Sequence, residues 1–226
     1  MRIHTTIAVL LAGLATADAA WAGDLYDRDG TKLGLSVDGM AGIFSIREDY
    51  LGEGGKRWQE GFIHGLLKGS TRLAGGEAYG GLGALGRGTW GDGDAAGYTT
   101  GHERKVDLED AFLGWRSANS LIDFSFGRQQ FQLGDGFLIA SDRVNLGKGP
   151  NALGVDVNRG GAYYIAAKKS FKNTAVLRVD PEGPLRGDAF WLKSDNPYQQ
   201  NTALGGLNLE YVSESRGTVG LSWMKV

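Results

Sequence analysis

From Lys32 onward, apolar and polar residues alternate with a period of two in stretches separated by clusters of Gly, Asp and Asn. A period of two places alternate side chains on opposite faces of an extended chain, so the pattern predicts β-strands throughout. Nine strands follow from it. The first sets Leu33, Leu35, Val37, Ala41 and Ile43 against Ser36, Asp38 and Gly42, and the second sets Ile63, Leu67 and Leu73 against His64, Lys68, Ser70 and Arg72. The third, Glu77–Thr89, is rich in glycine but keeps Tyr79 and Arg87 on one face. Then come Ala111, Leu113 and Trp115 opposite Asp110 and Arg116, and Ile122, Phe124 and Phe126 opposite Asp123 and Ser125. Tyr163, Ile165 and Ala167 alternate with Lys168, and Ala175, Leu177 and Val179 with Arg178. The last two pair Leu207, Leu209 and Tyr211 with Asn208 and Glu210, and Val219, Leu221 and Trp223 with Ser222.

Strands with one apolar and one polar face suit a soluble sheet covered on one side, or a barrel with lipid outside and water inside. The connections distinguish the two. They run long, short in turn: 48–58 then 74–76, 91–105 then 117–120, 132–160 then 172–173, 180–203 then 215–217. Outer-membrane barrels combine long external loops with short periplasmic turns, so the rhythm favours a transmembrane antiparallel β-barrel. Nine is odd, and an open strand edge in hydrocarbon leaves backbone groups unsatisfied. The expectation is therefore that the sequence is the N-terminal part of a longer barrel and that residues 1–226 alone form no stable pore. An eight-stranded barrel with the glycine-rich stretch over-read is the rival.

Composition sharpens the compartment. Arg2, the apolar run Ile7–Ala17 and Ala20-Trp21-Ala22 have the layout of a secretory signal cleaved after Ala22, leaving 23–226 as the barrel portion. The chain has no cysteine, so its folding depends on no disulfide. A balance of 24 basic and 26 acidic residues gives a net charge of −2, which argues against a nucleic-acid partner.

Two patches carry a family resemblance. Leu25-Tyr26-Asp27-Arg28-Asp29-Gly30-Thr31-Lys32-Leu33, continuing into Val37-Asp38-Gly39 and Ile43-Phe44-Ser45, resembles the mature N-terminus and first strand of Gram-negative general-diffusion porins. Asp110-Ala111-Phe112-Leu113-Gly114-Trp115, followed by Phe126-Gly127-Arg128-Gln129, is similar to the porin hairpin that precedes the constriction loop. The run Gly127-Arg128-Gln129 through Gly134-Asp135-Gly136-Phe137 also resembles porins of the alginate-export type. The resemblance implies an outer-membrane channel with roughly 16–18 strands when complete. It also implies a homotrimer, contact with lipid and lipopolysaccharide, insertion by the barrel-assembly machinery, and a third external loop folded inward. The acidic Pro-Glu-Phe-Gly-type signature of enteric porins is absent from 132–160.

On this reading the pore is lined by Asp38, His64, Lys68, Arg72, Arg87, Asp110, Arg116, Asp123, Lys168, Arg178 and Glu210, whose mixed charges would sort solutes. Asp135, Asp142, Arg143, Lys148, Asp156 and Arg159 are the candidates for the constriction loop. The expected function is passive diffusion of small hydrophilic solutes or ions; the alternatives are a substrate-selective or anionic-polysaccharide export porin and a barrel hydrolase. No G-x-S-x-G or H-E-x-x-H motif accompanies His64 or His102, so no catalytic residue is assigned. Gly81–Gly86 spells G-x-G-x-x-G, but with no helix to follow it reads as a small-residue patch on a strand, and no cofactor is expected. Asp92-Gly93-Asp94 lacks the further ligands of a calcium loop, and no metal is assigned. Arg186-Gly187-Asp188 is expected in a charged external loop.

Overall fold

The computed structural model describes residues 15–50, 52–149, 156–181, 183–213, 215 and 217–226, with backbone alone for 15–18. The described residues are all-β. Ten strands follow in chain order: β1 (Ala15–Arg28), β2 (Thr31–Ile46), β3 (Lys56–Leu73), β4 (Gly76–Gly91) and β5 (His102–Ser117), then β6 (Ile122–Gln129), β7 (Phe171–Val179), β8 (Leu185–Lys193), β9 (Ala203–Ser213) and β10 (Gly217–Lys225). Each pairs antiparallel with its neighbours in sequence, giving one open ten-stranded sheet with β1 and β10 at its edges. A single 3-10 turn, Pro197–Gln199, is the helical element among the described residues.

Two strands exceed the nine expected from the alternation, and one of the nine is lost. β1 runs through Ala22–Gly23, where the leader was expected to end; residues 1–14 of that leader lie outside the described residues. β8 occupies the middle of the expected loop 180–203 and carries Arg186-Gly187-Asp188 on a strand instead of in a loop. Tyr163–Lys168 forms no strand. Positive φ at Gly160, Gly161, Ala162 and Ala166 bends the chain there into turns, which extended pairing does not tolerate.

The alternation of connection lengths survives these changes. Short links 29–30, 74–75, 118–121, 180–184 and 214–216 all lie at one end of the sheet, and long links 47–55, 92–101, 130–170 and 194–202 at the other. Two of the short ones show why they are tight. Asp29-Gly30 and Ala74-Gly75 hold φ of 53° and 76°, and of 50° and 72°. Positive φ at both central residues is the hairpin turn whose twist matches that of the flanking strands.

Register divides the side chains between two faces. On the outer face stand Leu67, Leu82, Leu113, Phe124, Trp191, Leu209 and Leu221, all exposed. On the inner face, the described parts of the connection, 130–149 and 156–170, fold back over the sheet and bury its part toward the long links. Phe131, Leu133 and Ile139 of this segment pack with Phe171, Val176, Phe190 and Leu192 of β7 and β8. Ala162 and Ala167 pack on Leu85 of β4. A smaller cluster joins Phe44 of β2 to Trp58 of β3, rings stacked 5.1 Å apart, and to Ala95. The apolar core therefore lies between the sheet and its own longest connection.

Candidate functional site

Antiparallel register sets charged inner-face residues directly opposite one another, where cross-strand pairs are strongest. One row crosses eight strands: Arg72 of β3 faces Glu77 of β4, which faces Arg116 of β5. The row continues through Asp123, Arg178, Asp188, Asn208 and Ser222 on β6 to β10. Charge alternates along it from Arg72 to Asp188. Arg116 Nη2 lies 2.8 Å from Asp123 Oδ2 and Arg178 Nε 3.4 Å from Asp188 Oδ1. Tyr79 donates its hydroxyl to Asp123, and Ser222 Oγ donates to Asn208 Oδ1 at 2.7 Å. One step along β8 and β9, Arg186 Nη2 meets Glu210 Oε2 at 2.6 Å.

Nearer the middle of the strands, His64 bridges two carboxylates. Its Nδ1 is 3.0 Å from Asp38 Oδ1 on β2 and its Nε2 is 2.7 Å from Asp110 Oδ2 on β5. Reaching β5 from β3 means passing over β4, and Gly83 makes room: a Cβ there would lie 2.5 Å from Asp110 Oδ2 and 3.1 Å from His64 Nε2. The glycine patch on β4 is used for close approach.

A third set of charges fastens the segment to the wall. Arg159 Nη2 lies 2.8 Å from Asp142 Oδ2 and 2.6 Å from Asp195 Oδ1, while Arg128 Nη2 lies 2.8 Å from Asp195 Oδ2. Arg87 donates to the Arg159 carbonyl and pairs with Asp107 Oδ2 at 2.6 Å. Burial pushes the Asp142 carboxyl above its ordinary value, against the pull of the Arg159 charge. Burial also pushes Asp195 up, yet hydrogen bonds from Arg159 and Arg128 and the Lys168 charge outweigh it and hold this carboxyl at about 2. Lys168 is pulled down by burial, opposed by the Glu109 charge.

No family model, curated protein or solved structure matches the chain. The placement of the residues named from sequence therefore rests on the geometry alone. Asp38, His64, Lys68, Arg72, Arg87, Asp110, Arg116, Asp123, Arg178 and Glu210 all occupy inner-face register positions. Lys68 and Arg72 are exposed there and make no ion pair among the described residues. Lys168 differs: it belongs to the infolded segment, not to a strand, and its Nζ lies 3.4 Å from Glu109 Oε2. Of the expected constriction residues, Asp142 and Arg159 form the buried pair, whereas Asp135, Arg143, Lys148 and Asp156 are exposed.

Asp94, once a weak metal candidate, instead organises its own loop: its carboxylate accepts from the backbone N–H groups of Ala96, Tyr98 and Thr99. Among the described residues no three such side chains are arranged so that they could hold a metal ion. Residues that the alternation did not single out include Glu60, Glu103, Glu109, Asp188 and Asp195. Asp188 lay within reach of a parity argument, two positions after Arg186. Glu103 lay within the expected connection 91–105, which the structure instead ends at β5, and the partners of all three glutamates show only once the segment is seen above them.

Proposed function

We propose that this sheet is part of the wall of an outer-membrane channel of porin type that passes small hydrophilic solutes or ions by diffusion. The observation that carries the reading is the inverted polarity: large apolar side chains stand exposed across the outer face while ion pairs and buried carboxylates occupy the inner one. Water on both sides would favour the opposite arrangement, whereas lipid outside and water inside favours this one. Hydrocarbon also requires every backbone group of a spanning strand to be paired, so on this reading the outer edges of β1 and β10 are paired within the membrane. In the completed channel the segment 130–170 narrows the lumen.

The row from Arg72 to Asp188 sets the charge preference. Opposite charges alternate and neutralise each other locally, so the lumen carries a transverse field with little net sign. That arrangement suits general diffusion better than export of a polyanion, for which a row of unpaired cations would serve.

The test is made on protein extracted from the outer membrane of its host and reconstituted in planar bilayers. Ohmic steps with weak preference between small cations and anions are expected. Fractionation with the inner membrane, or no conductance in independent preparations, overturns the proposal.

A further inference from the structure

The infolded segment is held at several places by its main chain, and the groups that hold it are buried side chains of the wall. Glu60 on β3, 1% exposed, accepts through Oε2 from the backbone N–H of Tyr164 at 2.8 Å and of Ile165 at 3.1 Å. Glu109 on β5 accepts through Oε1 from the N–H of Lys169 at 2.7 Å and of Ser170 at 2.8 Å. Glu103, also on β5, accepts from the N–H of Lys148 at 2.9 Å. Between them on β4, Thr89 Oγ1 accepts from the N–H of Ala162 at 2.9 Å, and Arg87 donates to the Arg159 carbonyl.

A local irregularity of the sheet sets one of these groups beside the His64 bridge. Gly83 pairs with Asp110 but Ala84 pairs with Leu108, so Glu109 is the extra residue of a β-bulge. A bulge frees one side chain from the strict alternation of the strand. Here it lets the consecutive residues Glu109 and Asp110 both face the covered side, which strict alternation forbids.

From this geometry we infer that Glu60, Glu103 and Glu109 are positioning residues, buried carboxylates that fix the path of the constricting segment by gripping its backbone. The inference rests on the channel reading for its functional consequence but not for its test. Carboxylates are acceptors only, and an ionised one takes several N–H donors at once. A turn-rich segment that cannot pair as a strand has such donors to place, and in a covered site they must find partners. Because the grip is on the main chain, it constrains few side chains of the segment. Asp135, Arg143, Lys148 and Asp156 are left exposed, free to face solute and to set preference without disturbing the fold.

The chain has no cysteine, so one introduced thiol is a unique reporter. Ala162 of the segment is 0% exposed, and its own N–H is one of those gripped. In an Ala162→Cys background of the full protein in detergent, maleimide labelling reads release of the segment whether or not the protein conducts. Glu60→Leu removes the acceptor and is expected to raise the labelling rate about tenfold or more, as local opening becomes easier. Glu60→Gln keeps one acceptor oxygen and is expected to label at the parental rate. Far-UV circular dichroism checks that the sheet is retained.

Equal labelling of the Leu variant and the parent overturns the inference, and so does a Gln variant that labels as fast as Leu. If Leu at position 60 prevents insertion, the same pair at Glu109, with the same expected ordering, decides. A protein that labels as expected but never conducts would overturn the channel reading alone.

Discussion

On the outer face Val106, Val219 and Leu221 stand 78%, 73% and 77% exposed, whereas on the inner face Glu60 and Thr89 are 1% and 0% exposed. Ordinary soluble sheets bury the first kind of residue and expose the second. The two faces thus assign opposite meanings to the same period of two: outside, an apolar residue marks contact with the surroundings; inside, a polar residue marks contact with the protein itself. The inner face is also divided. Toward the long links the segment covers it and charges are gripped, while toward the short turns Lys68 and Arg72 remain open.

The comparison is broken most severely by removing a charge from the covered part of the inner face. Arg159→Leu strips Asp142, itself 0% exposed, of its 2.8 Å partner. An uncompensated buried charge costs about 3–5 kcal/mol. Denaturant melts in detergent should show that loss, and a melt indistinguishable from the parent would mean the pair is not buried. Next comes the outer face. Leu113→Arg should cost about 2–4 kcal/mol if that face meets the bilayer midplane, while Ser70→Arg on the open part of the inner face should cost well below that. Ser125 is a poor inner control, because it is buried and its Oγ accepts from Gln129 Nε2 at 2.9 Å. Equal costs for Leu113 and Ser70 would erase the distinction between the faces.

How far the sequence made these faces legible depends on what covers them. Where a strand shows apolar residues outward and open or ion-paired polar residues inward, as around Leu113 and Asp123, alternation located the strand and its facing together. β8 was lost because Phe190 and Leu192 point inward and are apolar, packing against Phe131 and Leu133 of the segment. Beside the outward Trp191 they turn the alternation into a run. The segment produced the opposite error: Tyr163, Ile165 and Ala167 alternate with Lys168, yet left-handed residues at 162 and 166 coil that stretch beneath the wall. The small residues of β1 up to Ala22 read equally well as the end of a leader. Glu60 and Glu109 were invisible as grips since their partners are backbone groups, which no sequence pattern displays.

A third, smaller effect separates the gripped from the open part of the inner face by pH. Asp195 is held at about 2, below the ordinary carboxylate value of 3.8. A depressed folded value means that the native state prefers the ionised form, so the stabilisation is complete above about pH 4 and is lost as pH falls toward 2. The expected loss is about 2 kcal/mol at most. Asp195→Asn should flatten the stability profile across that window. A profile still sloping as in the parent would assign the acid sensitivity to other carboxylates.

The smallest effect tests whether the central link of the inner face depends on a missing side chain. Gly83→Ala would place a methyl group 2.5 Å from Asp110 Oδ2, 3.1 Å from His64 Nε2 and 3.1 Å from the Gly65 carbonyl oxygen. Two of these neighbours are side-chain ends that can swing aside and only one is backbone. Overpacking here should therefore cost about 1 kcal/mol, the low end of its usual range. What should change is the connection from β3 to β5: His64 keeps Asp38, its direct cross-strand partner, and loses Asp110. In that case Asp110→Asn, which weakens the link in the parent, should have a smaller effect on the melting temperature in the Gly83→Ala background. Strictly additive effects of the two substitutions would mean that the bridge across β4 contributes nothing, and that the glycine serves only the packing of the strands.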